Sequence, residues 1–61
     1  MTLLERRKAK QITQEALAEI LGGIDRSTIS KWEIGETTPS IPHLKKLAIF
    51  YGCTIDELLE E

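Results

Sequence analysis

The sequence predicts an all-α fold, a compact bundle of five short helices. Three observations lead there. Apolar residues recur at helical spacing and never alternate as in a strand. Residues suited to N-capping stand before each apolar stretch. Glycines (Gly22, Gly35 and Gly52) close three of the stretches. Helices of two or three turns are marginal alone, so all five must share one core. A chain of 61 residues has room for a single domain, expected over residues 1–61. Such a core supplies only about 3–5 kcal/mol.

Each element has its own signal. Thr2 with Glu5 forms a capping-box pattern that opens a helix carrying Leu3 and Leu4, which fades near Lys10 or Gln11. Thr13 caps the second helix, with Ala16, Leu17, Ile20 and Leu21 at helical spacing and Gly22 as its stop. Asp25 caps the third, expected to run to about Glu33 and end by Gly35. Residues 34–39 then read as the one real loop. Ser40 caps the fourth helix; Pro42 falls in its first turn, where a missing N–H costs little, and Leu44, Leu47, Ala48 and Tyr51 form its apolar stripe. Gly52 ends it. Thr54 with Glu57 is a second capping box, opening a last helix with Ile55, Leu58 and Leu59.

Composition narrows the functional classes. The formal net charge is −2, but its distribution matters more. Residues 1–46 hold all eight basic side chains against six acids, a net +2; residues 47–61 hold Asp56, Glu57, Glu60 and Glu61, a net −4. The acidity thus belongs to the C-terminal segment, and a basic patch elsewhere is open to an acidic partner. One cysteine, Cys53, and one histidine, His43, cannot make a disulfide or a zinc site. Cys53 reads as a small buried apolar residue in a reducing setting. No apolar run approaches the ~20 residues that span a bilayer, and no secretory leader is evident, so a cytoplasmic location without membrane contact is expected. There is no Ser/His/Asp arrangement, no phosphate-cradling glycine loop and no metal-ligand cluster. Enzyme activity, cofactors and a small-molecule substrate are not expected.

The stretch GGIDRSTISKWEIG, residues 22–35, carries the functional signal. At about 100° per residue, Ile29 and Trp32 point inward, while Arg26, Ser27, Ser30 and Lys31 spread over the opposite arc with Thr28 and Glu33 at its borders. Two helices joined by a short glycine turn, the second polar and small-sided, describe a helix-turn-helix made of helices two and three. The chemistry suits DNA. A major groove about 12 Å wide admits one helix; arginine forks onto guanine O6 and N7, and Ser and Thr bond to bases or phosphates. Helix N-termini offer N–H groups to phosphates.

From Leu4 to Leu59 the sequence resembles the helix-turn-helix domain of the phage Cro and cI repressors, the XRE family, whose fold is a lambda-repressor-like bundle. The resemblance is carried by TQ-x-x-LA at 13–18, by ID-R-S-T-I-S-K-W-E-x-G at 24–35, by P-S at 39–40 and by the closing YG-x-x-I-D-E-L-L. It implies a sequence-specific regulator of transcription, a repressor, acting on double-stranded operator DNA; because one small module buries little DNA, a homodimer on a palindromic operator is expected. It implies base-reading roles for Arg26, Ser27 and Lys31. It gives Gln14, Thr28, Thr37 and Thr38 phosphate-binding roles, which Ser30 shares as a hydroxyl on the same face. Gln14 also braces the recognition helix, and Arg7 and Glu33 form a largely buried salt bridge. The chain departs from the family at Gly23, which lengthens the turn by one residue. Because glycine tolerates positive φ, the turn can bulge outward and leave Ile24 anchored; otherwise the recognition helix tilts.

Plainer readings accompany these. Trp32 is core rather than a base-stacking ring, Lys45 and Lys46 are the solvated face of the fourth helix, and His43 is surface. The apolar surface near Ile55, Leu58 and Leu59 is the expected dimer interface. The competing function is an antitoxin-like or other protein-interaction module that keeps the scaffold without binding DNA itself.

Overall fold

The computed structural model describes residues 2–59 and contains five helices: α1 (Leu3–Ala9), α2 (Gln14–Ile20), α3 (Arg26–Ile34), α4 (Ile41–Tyr51) and α5 (Ile55–Leu59). No strand occurs among the described residues. Glu60 and Glu61, half the acidic charge assigned to the C-terminal segment, lie outside them. No helix of the described residues is long and apolar enough to cross a membrane. The Cα radius of gyration is 10.2 Å, close to the value of about 10 Å for a close-packed chain of this length.

The caps fix where the helices begin. Both capping boxes close reciprocally: Thr2 N–H donates to Glu5 Oε1 at 2.8 Å and Glu5 N–H to Thr2 Oγ1 at 3.1 Å, with the same distances for Thr54 and Glu57. Thr13 Oγ1 accepts from Ala16 N–H at 3.1 Å. Ser40 is the N-cap of α4 by backbone conformation but makes no side-chain capping bond. Pro42 removes one of the donors it could accept from, and its hydroxyl instead pairs with His43 Nδ1 at 3.0 Å. At the far end of α3, Gly35 takes φ +82° while Glu36 N–H donates to Lys31 O. The loop therefore starts at Gly35, and Ile34, expected in the loop, is the last helical residue.

The core unites Leu3 of α1, Leu17, Ala18 and Leu21 at α2, Ile29 and Trp32 of α3, Leu44, Leu47 and Ala48 of α4, and Leu58 of α5. Leu21, Ile29 and Leu47 are sealed almost completely, each contributing about 1.5–3 kcal/mol by leaving water. Several expectations need correction. Ile20 is 48% exposed because the two-turn α2 buries only the Leu17–Ala18–Leu21 edge. Leu58 is core, Ile55 half-buried, and only Leu59 of that trio is exposed. His43 is not plain surface: its ring lies half-buried, 5.3 Å from the Trp32 ring centroid. Cys53 is half-buried rather than sealed. Lys46 is more than solvated face, since its Nζ reaches the Leu21 carbonyl at 3.5 Å, a cation placed at the negative end of α2.

Candidate nucleic-acid interface

Among the helix pairs, α2 and α3 pack most extensively on each other. The turn between them is built by two left-handed glycines, Gly22 at φ +102° and Gly23 at φ +82°. Gly22 N–H donates to Glu19 O at 3.1 Å and Gly23 N–H to Ala18 O at 3.0 Å, the paired bonds of a Schellman ending. Ile24 N–H also reaches Ala18 O, at 3.2 Å, and the Ile24 side chain packs against the core. The extra residue is thus taken up by an exposed bulge, and Ile24 keeps its anchor.

Asp25 starts α3. Its Oδ1 accepts from Ser27 N–H at 2.9 Å, and that backbone bond holds the carboxyl below its ordinary pKa. Thr28 N–H is bound to Asp25 O at 3.0 Å. The first turn of α3 was expected to offer free amides to phosphate; the Ser27 and Thr28 amides are already engaged, which leaves mainly the polar side chains of α3 facing outward.

Those side chains fall into two groups. Arg26, Ser27 and Lys31 are exposed on the outer face of α3, while Thr28 and Ser30 are half-buried at its margins. Thr37 and Thr38 are exposed in the loop, which Pro39 anchors by its own burial. Thr37 N–H lies 3.4 Å from Lys31 O, so the loop sits by the C-terminal half of α3 and away from Arg26.

Beneath the outer face runs a chain of polar contacts. Arg7 Nε meets Glu33 Oε2 at 2.7 Å and its NH2 meets Oε1 at 3.3 Å, with side-chain exposures of 13% and 6%. Hydrogen bonding to Glu33 raises the Arg7 pKa further and keeps the charge in place. Arg7 NH1 also donates to Ile12 O at 2.9 Å, tying down the α1–α2 link. Glu33 Oε1 accepts again, from Gln14 Nε2 at 2.8 Å, and Gln14 Oε1 then faces Arg26 NH1 at 3.4 Å. A carboxylate can only accept, so Glu33 sets which way the Gln14 amide points. Arg26 has a second neighbour that sequence reasoning missed, Glu15, whose Oε2 stands 4.0 Å from Arg26 Nε. Eleven positions separate the two, and no helical spacing rule links them.

A family model described as Helix-turn-helix matches residues 3–58. The HTH-type transcriptional activator BcrR of Enterococcus faecalis is 47% identical over 57 residues, covering 93% of this chain and 28% of that protein. The chain therefore spans less than a third of that relative's length. No solved structure matches significantly.

Proposed function

The chain belongs to the helix-turn-helix family, and on that premise we propose that it is a sequence-specific reader of double-stranded DNA that regulates transcription. The observation that supports this most is Arg26: exposed at the start of α3, it is braced by a glutamine that is itself anchored to a buried ion pair. In this reading α3 lies in the major groove. Arg26, Ser27 and Lys31 meet base edges, while Gln14, Thr28, Ser30, Thr37 and Thr38 hold the flanking phosphates. A two-fold dimer then reads a palindrome whose half-sites lie about 34 Å apart.

Of the apolar trio expected to meet a second copy, Leu58 is core and Ile55 half-buried, which leaves Leu59. Leu59 is 55% exposed at a recess of about 190 Å³ lined by Leu3, Trp32, Leu44 and Leu58 and also by Thr37 and Thr38, the loop residues given to phosphate. Repression by occlusion is the simplest outcome of such binding. The relative is named an activator, and the position of the bound site relative to a promoter decides between the two signs with the same DNA chemistry.

Selection from a random duplex library, with Arg26→Ala alongside, tests the proposal. An enriched palindrome is expected, with binding that weakens in salt at a log–log slope of about −0.9 per phosphate neutralised. Arg26→Ala is expected to cost about 1–3 kcal/mol and to relax preference at defined positions. No enrichment with folded protein would favour a protein-interaction scaffold instead.

A further inference from the structure

Arg26 has polar neighbours on two sides at the start of α2. Gln14 Oε1 faces NH1 at 3.4 Å, and Glu15 Oε2 faces Nε at 4.0 Å. One terminal nitrogen of the guanidinium thus hydrogen-bonds Gln14 and Nε lies near the Glu15 carboxylate, while 60% of the side chain stays open to solvent. From this geometry we infer that Glu15 is a specificity-determining positioning residue, which aims Arg26 at a base and keeps it off the phosphates. The inference rests on the base-reading role proposed for Arg26.

The physical argument has three steps. An unrestrained arginine is long and flexible, and next to DNA its charge is drawn first to the backbone, which carries no sequence information. A carboxylate beside the guanidinium restricts it to fewer rotamers, so less conformational entropy is lost when the fork engages guanine O6 and N7. The same carboxylate repels phosphate oxygens, so a phosphate-directed pose of Arg26 brings Glu15 toward like charge and is disfavoured. Glu15 thus weakens binding to arbitrary DNA and leaves the base-directed pose favoured. An acid in the first turn of α2 also suits the helix dipole, but that role acts on stability and leaves base preference untouched.

The test uses the whole chain, the duplex it selects from a randomised library, single-base variants of that duplex, and an unrelated duplex of equal length. Glu15→Gln removes the charge and keeps the shape; Glu19→Gln, at another exposed acid of α2, makes the same change in net charge away from Arg26. For Glu15→Gln, affinity for the unrelated duplex is expected to rise and its salt slope to steepen by about 0.9 as Arg26 joins a phosphate. Discrimination at the base read by Arg26 is expected to fall roughly five- to tenfold, part of what a bidentate contact supplies. Glu19→Gln is expected to keep wild-type discrimination. Unchanged discrimination in Glu15→Gln overturns the inference, as does an equal loss in Glu19→Gln, which would mark a general charge effect. If Arg26→Ala itself leaves the base preference intact, the base-reading proposal fails, and this inference with it.

Discussion

Arg7 and Glu33 form a two-point ion pair between α1 and α3, with contacts of 2.7 and 3.3 Å and little exposure of either side chain. Buried pairs of this kind add little net stability over a well-packed apolar pair, yet losing one partner strands the other's charge. Glu33→Ala is expected to cost about 3–5 kcal/mol. A chain this small has about that much stability in all, so the variant should be largely unfolded at 25 °C, seen as lost helical circular dichroism. Arg7→Met with Glu33→Leu should recover most of the helical signal and fall short of wild type, because Ile12 O and Gln14 lose their partners. A folded Glu33→Ala variant with unchanged urea midpoint would show the pair to be solvent-screened.

Tyr51, the single tyrosine, is half-buried near Arg7 and Glu33, and burial pushes its hydroxyl up to about 12. An acid whose folded pKa is raised stays protonated in the fold after the unfolded chain has released its proton. Stability from this source is therefore complete below pH 10 and lost as pH rises from 10 to about 12. Tyrosinate absorbance in the native protein should titrate near the upper value, and Tyr51→Phe should flatten the alkaline limb of the stability curve. Native titration near pH 10 would contradict the burial.

The acid limb has the opposite sign. Backbone hydrogen bonds from Thr2 and Thr54 hold Glu5 and Glu57 below their ordinary pKa of 4.5, and Ser27 does the same for Asp25 below 3.8. The unfolded chain then binds protons first, so stability is present above those values and is lost as pH falls through the depressed folded ones. Glu57→Gln should show a shallower acid slope in melting temperature than wild type. An identical slope would remove the cap from the account.

Two backbone positions test the turns. Gln11 ends the α1 segment at φ +58°, where a side chain costs about 1–2 kcal/mol against glycine's entropy of about 0.5–1. Gln11→Gly is expected to stabilise by roughly 0.5 kcal/mol. Gly23→Ala meets no atom within 4 Å, so backbone strain of about 1–2 kcal/mol at φ +82° is offset only by the same entropy term, for a net cost of roughly 0.5 kcal/mol. Denaturant midpoints measure both, and a neutral Gly23→Ala would mean that the bulge relaxes without penalty.

The five helices were legible because caps and glycine stops act over three or four residues. Thr2 with Glu5, Thr13, Asp25 and Thr54 with Glu57 all cap as their spacing implies. Ser40 takes the N-cap position as expected, but its hydroxyl pairs with His43 in place of a backbone N–H. The misreadings of Lys46 and His43 share one cause: contacts made across the fold leave no mark in local spacing. Lys46 meets Leu21, and His43 meets Trp32, through helix packing alone. Glu15 is the same case at the site itself.

Gln14 separates two roles within the proposed interface. Its amide donates to Glu33 and accepts from Arg26, and as a neutral group it adds little to counterion release whether or not it meets a phosphate. Gln14→Ala should therefore leave the salt slope nearly unchanged. Loss of its bond to Glu33 should cost about 1 kcal/mol of stability, since Arg7 still holds both carboxylate oxygens. If Gln14 both braces Arg26 and holds a phosphate, affinity should fall on every duplex and preference should relax at the base that Arg26 reads. A uniform fall with preference intact would leave phosphate binding and remove the brace, because an arginine that needs no support keeps its base without Gln14.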